Sequence, residues 1–228
     1  MLFFWLYCAA AVLNLSALAT AHPFLEYVSK PLLMVFLGIH FYQGNPFKAN
    51  PTARWVMLAL LGSWGGDVLL LFAKHDSAFF IGGLSSFLFA HLAYIQAYRY
   101  AVGHSSEPSL LGRKPWLYVP FMLLYLTLYG YLYPHLGAMQ IPVAVYALAI
   151  VGMSLAALNR FRLTSPQSFQ LVFGGALLFM LSDTCIALNK FVQPFEAAGI
   201  VIMSTYIIAQ YLIVRGILIH LKAQMTEG

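Results

Sequence analysis

Apolar runs of about 20 residues recur along the whole chain, separated by short polar breaks. A run of that length crosses the hydrocarbon of a bilayer as a single helix. The pattern predicts eight such helices, at 2–20, 28–43, 53–73, 77–101, 114–133, 138–158, 167–189 and 194–220. The second is short and opens on Lys30-Pro31. The first ends at Ala19-Thr20-Ala21, which resembles a signal cleavage site. No basic residue precedes it, so it is expected to stay a membrane helix. The fold class read from this pattern is all-α: a polytopic membrane helical bundle of eight transmembrane helices, with 1–228 as a single transmembrane domain.

Composition agrees. The chain is 61% hydrophobic and 8% charged, with a mean hydropathy of +0.80, and this excludes an ordinary soluble domain. Charge then supplies an orientation, because Lys and Arg collect in cytoplasmic loops. Lys48, Arg54, Arg99, Arg113, Lys114, Arg160, Arg162, Arg215 and Lys222 fall on the side of the two termini; Lys30, Lys74 and Lys190 fall on the other. Both termini are therefore expected in the cytoplasm, in the inner membrane of a bacterium or the endoplasmic reticulum of a eukaryote. The net charge of +5 is this bias. No basic stripe interleaved with aromatics points to nucleic acid. Trp55, Trp116, Tyr129, Tyr131 and Tyr133 sit at helix ends, as interfacial anchors do. Cys8 and Cys185 lie in different segments and form neither a CxxC nor a disulfide framework.

Against this background two residues stand out. Asp67 and Asp183 sit inside predicted helices, where a carboxylate costs roughly 2.5–3.5 kcal/mol. A chain with seven acidic residues has placed two of them there. A shift of 116 residues superposes Asp67 on Asp183, Lys74 on Lys190, Phe79 on Phe195, Gly83 on Gly199 and Arg99 on Arg215. The match implies a parallel internal repeat of helices 3–4 and 7–8, about an axis along the membrane normal. Such an axis would put the two aspartates at one depth, facing each other near the non-cytoplasmic end. No partner for helices 1–2 is evident in helices 5–6.

Other polar positions gather on the same helices. His91, Tyr94 and Tyr98 share one face of helix 4, and Tyr206 and Gln210 share one face of helix 8. The tyrosines suit interhelical hydrogen bonding as well as chemistry, and His91 suits a buried structural role as well as a site. Ser182 reads as a helix serine bonded to backbone. Lys30, near an interface, is placed either to snorkel or to meet a headgroup. Gly62 and Gly66 form a small-xxx-small pair for close helix approach. There is no HxxxH, HExxH or GxSxG, so neither a zinc site nor a serine nucleophile is indicated. No cofactor is called for.

Two carboxylates close together in a low dielectric do not both ionise readily, which provides one acid and one base. With cations toward the headgroups, the arrangement suits a lipid whose reactive bond lies just below its headgroup and breaks through protonation and a cationic transition state. Intramembrane carboxylates in a repeat also mark proton-coupled transporters, and a lipid-binding scaffold is a third reading.

Five motifs carry a resemblance: Lys30-Pro31, Gly66-Asp67, His91-x2-Tyr94, Gly174-Gly175 followed by Ser182-Asp183, and Tyr206-x3-Gln210. In this order and spacing the chain resembles the YhhN-like family of integral membrane proteins, which includes the lysoplasmalogenases. The resemblance implies hydrolysis of the vinyl ether bond of a lysophospholipid, releasing a fatty aldehyde and glycerophosphoethanolamine or glycerophosphocholine, without a metal. It implies Asp67 and Asp183 as the acid/base pair, with Asp183 leaning to the acid. Lys30, with Lys74 or Lys190, would hold the phosphate. His91, Tyr94, Tyr206 and Gln210 would order water or the glycerol hydroxyl. Membrane lipids are the other partners; oligomeric state is not specified.

Overall fold

A computed structural model describes residues 1–46, 49–103 and 109–226. Lys48 and His104 lie outside the described residues. Among the described residues, eight helices are long and apolar enough to cross a membrane. They are α1 (Leu2–Ala19), α2 (Pro23–Gly44), α3 (Pro51–Leu71), α4 (Ser77–Val102), α5 (Tyr118–Leu132), α6 (Gln140–Leu158), α7 (Pro166–Ala187) and α8 (Ala198–Thr226). A one-turn helix, Leu110–Arg113, and a 3-10 turn, Pro115–Leu117, lead into α5.

Helix starts follow from proline and capping side chains. Pro23, Pro51 and Pro166 stand in the first turns of α2, α3 and α7, where a missing N–H is harmless. Asn50 and Ser165 accept from the backbone N–H groups of Thr52 and Ser168. Helix α2 begins at Pro23, five residues before the sequence reading placed it, and Pro31 lies inside the helix. Helix α7 continues past Ala187 as a π-helical turn, Leu188–Val192, before Gln193 goes extended.

Helix bounds keep a common offset. Adding 116 to the bounds of α1–α4 gives 118–135, 139–160, 167–187 and 193–218. These track α5 with its 3-10 extension Tyr133–His135, α6, α7 and α8. The disagreement is largest in α8, which starts five residues later, after the π-turn and an irregular stretch, and ends eight residues later.

Two compact units form, Met1–Ala97 with Ile217–Gly228, and Tyr98–Gly216. In the first, Asn14 of α1 donates to Ser29 Oγ of α2 at 3.1 Å, both buried, and Ser29 donates to Leu25 O at 2.6 Å. Helices α3 and α4 pack antiparallel, and Ser86 Oγ donates to Gly62 O at 2.7 Å. A Cβ on Gly62 would stand 3.0 Å from Ser86 O, so glycine is what permits the approach.

The second unit uses the same device between α7 and α8, where Ser182 Oγ donates to Ile202 O at 3.0 Å. It also buries a cation. Arg160 was counted above among the cytoplasmic loop charges, but it is fully buried rather than displayed toward headgroups. Its Nη2 donates to Ser168 Oγ at 2.9 Å, Ser168 donates to Gly216 O at 2.7 Å, and its guanidinium lies 5.7 Å from the Tyr98 ring centre. Burial lowers the Arg160 pKa to about 10, a shift that Tyr98 opposes, and the side chain stays charged at neutral pH. Replacing Ser168 by Ala strips Nη2 of its acceptor. The expected loss is about 1.5–3 kcal/mol, the range for hydrogen bonds to charged groups. Thermal unfolding in detergent reads it as a lowered midpoint.

Candidate active site

Each aspartate stands one turn before the end of its α-helix, Asp67 four residues ahead of Leu71 and Asp183 four residues ahead of Ala187. That is about 6 Å of α-helix. Both are buried, at 2% and 8% exposure, in helices whose other residues are almost all apolar.

Asp67 belongs to the first unit. Gly66 lets the Phe87 ring of α4 lie directly against α3, and a Cβ there would meet that ring. Phe87, His91 and Tyr94 follow at i, i+4 and i+7, so they share the face that runs along α3. The helices are antiparallel, with Ala90 against Gly62, so His91 stands at the level of Gly62 and Ser63, about a turn deeper than Asp67. Ser63, His91 and Tyr94 are all fully buried. Of the polar face expected on α4, His91 and Tyr94 lie along the Asp67 helix, whereas Tyr98 belongs to the second unit, beside Arg160.

Asp183 belongs to the second unit. Tyr146 of α6 donates its hydroxyl to Asp183 Oδ2 at 2.5 Å, a short, charge-assisted length. The Tyr206 ring meets the Phe179 ring edge-on at 5.4 Å, which sets Tyr206 one turn deeper than Asp183. Gln210 is deeper still, beside the Ala209–Gly175 contact, about 12 Å along α7 from Asp183. Gln210 is thus on the predicted face but two turns from the Asp183 carboxylate.

Two of the three lysines lie beyond the α-helices that carry the aspartates. Lys30 is half-buried on α2. Lys74 is exposed in the turn after α3, which is closed by Ala73 N–H donating to Leu70 O and His75 N–H donating to Phe72 O. Lys190 is exposed on the π-turn after α7. Neither continues the α-helical face of its aspartate, because the backbone changes its winding in between. Among the described residues no three His, Cys, Asp or Glu side chains converge as a metal site.

Sequence reasoning missed Tyr146. One tyrosine among fourteen, in an apolar helix, carries no mark of its own. The 116-residue offset holds the signal, since it carries Lys30 onto Tyr146 as it carries Asp67 onto Asp183.

Asp183 and Tyr146 also line a pocket of about 50 Å3 between α5, α6 and α7, walled by Leu124, Leu128, Val143, Ala147 and Met180. In the first unit an apolar groove runs between α2 and α3, past Met34, Val35 and Trp64. The same offset carries those three onto Ile150, Val151 and Met180, which line the pocket beside Asp183.

Residues 25–217 match the YhhN family. The chain belongs to the YhhN family. It is similar to curated relatives over most of its length. Lysoplasmalogenase TMEM86A of Homo sapiens is 34% identical over 169 residues, covering 72% of this chain and 65% of that protein. Lysoplasmalogenase TMEM86B of Sus scrofa is 35% identical over 156 residues, 68% of this chain and 59% of that protein. The lysoplasmalogenase of Mycobacterium tuberculosis is 36% identical over 165 residues, 72% of this chain and 60% of that protein. The chain thus covers less than two thirds of each of these relatives. No solved structure matches it significantly.

Proposed function

We propose that this YhhN family member is an integral membrane hydrolase that cleaves the vinyl ether bond of lysoplasmalogens. The observation that carries the reading is a buried carboxylate in each of two apolar helices, in a chain similar to proteins named lysoplasmalogenase.

The chemistry asks for what two carboxyl groups supply. A vinyl ether hydrolyses by protonation of its β-carbon, which leaves an oxocarbenium ion. Water adds to the cation as a base takes its proton. The hemiacetal then collapses, its hydroxyl proton passing to the departing glycerol oxygen, to give a fatty aldehyde and a glycerophospho-alcohol. In this reading one of Asp67 and Asp183 donates the proton. The other stabilises the cation and accepts the proton from water. Tyr146 supports a reacting role for Asp183 by fixing its carboxyl through Oδ2.

The chain is further read as two four-helix halves, α1–α4 and α5–α8, in the common 116-residue register. The excess of Lys and Arg supports a reading with both termini in the cytoplasm and both aspartates toward the opposite face. Lys30, Lys74 and Lys190 then stand on the side where a substrate phosphate would lie, while His91, Tyr94, Tyr206 and Gln210 form polar faces deeper in the helices.

Purified protein incubated with lysoplasmenylethanolamine and an aldehyde-trapping reagent tests the reading, with a chelator in a parallel reaction. Aldehyde release in both reactions supports it. Intact substrate in both sinks the hydrolase and returns the transporter reading. Release abolished by the chelator sinks the metal-free mechanism.

A further inference from the structure

We propose that the pocket between α5, α6 and α7 receives the first carbons of a single hydrocarbon chain from the bilayer, and that Tyr146 positions Asp183 at its wall to meet them. The inference rests on the hydrolase reading for its chemistry and adds the side of the site that holds the chain.

The lining selects the ligand class. Leu124, Leu128, Leu132, Val143, Ile150 and Met180 offer only hydrocarbon. Thr184, also on the wall, turns its hydroxyl back to Met180 O at 2.8 Å. The polar edge is left to Asp183, Tyr146 and Tyr125. At about 50 Å3 the pocket holds a few atoms. That size suits the segment of one unbranched chain next to the carboxylate. The remainder of the chain lies along the outer face of α5, where Leu123, Leu124 and Leu126 are exposed.

Helix α5 is the wall that yields. Leu132 is its one fully buried residue among those described, whereas α7 and α6 each bury seven or eight. Its side-chain tie to α6 is Tyr129 Oη donating to Gln140 O at 3.2 Å, at the helix end. A segment with so few buried contacts belongs to the low-stability end of a fold and opens first. A chain arriving sideways from the bilayer displaces α5 and leaves the Tyr146–Asp183 bond, between α6 and α7, in place. Tyr146 commits its one proton to Oδ2 and so fixes the orientation of the Asp183 carboxyl at the pocket wall.

Labelling tests the pocket without requiring turnover. The full chain in phosphatidylcholine vesicles is irradiated with a non-hydrolysable alkyl lysophospholipid bearing a diazirine on the first chain carbons. Labelled peptides are expected within 124–132 and 143–151. Filling the pocket by Ala147→Phe, or by Leu128→Phe should the first variant fail to fold, is expected to cut that labelling at least about tenfold. Label spread evenly over the lipid-facing helices, label gathered at Met34–Trp64, or label unchanged in a folded variant overturns the proposal. So does a covalent dimer joined through α5, which would make a second copy the occupant.

Kinetics test the positioning role. Tyr146→Phe should lower kcat about 10- to 100-fold, as loss of an orienting partner does, with KM held. Ala147→Phe should instead raise KM. A raised KM with kcat intact in Tyr146→Phe overturns the role of Tyr146. A wild-type protein that labels in the pocket but releases no aldehyde refutes the hydrolase and leaves the chain pocket standing.

Discussion

Asp67→Asn and Asp183→Asn are each expected to reduce aldehyde release by about 10³-fold or more, at the upper part of the range for general acid–base catalysis. Asparagine keeps the shape of the side chain, and at position 183 its amide oxygen still accepts from the Tyr146 hydroxyl. Neither variant should therefore lose the fold, and elution from a sizing column together with helical circular dichroism checks this. What asparagine cannot do is exchange a proton with a carbon or with water, or carry the charge that stabilises an oxocarbenium ion. Groups that act as a unit are not additive, so the double variant should be scarcely worse than either single one. Turnover near the wild-type rate in either folded variant refutes the mechanism.

A pair of neighbouring glycines should respond in opposite directions. A Cβ on Gly175 would stand 2.8 Å from Ala209 O and 3.1 Å from Ile213 N, backbone atoms that cannot move aside singly. Gly175→Ala must therefore push α7 and α8 apart, at about 1–3 kcal/mol for overpacking. Nothing lies within 4 Å of a Cβ on Gly174. There alanine should stabilise by up to about 1 kcal/mol through helix propensity. Thermal unfolding of the two variants in one detergent measures the contrast. A Gly175→Ala midpoint at or above that of the wild type would show that α7 and α8 are less tightly packed than described.

The eight helices were legible because membrane thickness imposes a length and an apolar content that any chain must satisfy. The ends were less so. Lys30-Pro31 looked like a beginning, since proline breaks most helices, yet α2 starts at Pro23 and carries Pro31 within it. A turn and a π-turn separate Lys74 and Lys190 from the α-helices of the aspartates, and no sequence pattern marks either. Arg160 looked like a loop charge because it follows the last apolar turn of α6. Only a folded chain shows it reaching Ser168. Asp67 and Asp183 were conspicuous because a carboxylate is out of place in hydrocarbon. Tyr146 was not, because a phenol is at home there until a carboxylate is seen beside it.

The unit boundaries fall inside helices. Residues from Ile217 onward, the end of α8, belong to the first compact unit, while Tyr98, near the end of α4, belongs to the second and supplies the ring beside Arg160. During synthesis the first unit therefore stays incomplete until the final helix has left the ribosome. A gene cut in the segment after α4 would yield two fragments, each lacking part of one unit and carrying part of the other. Neither fragment would be a folding unit alone, and activity should return only when both are made in the same membrane.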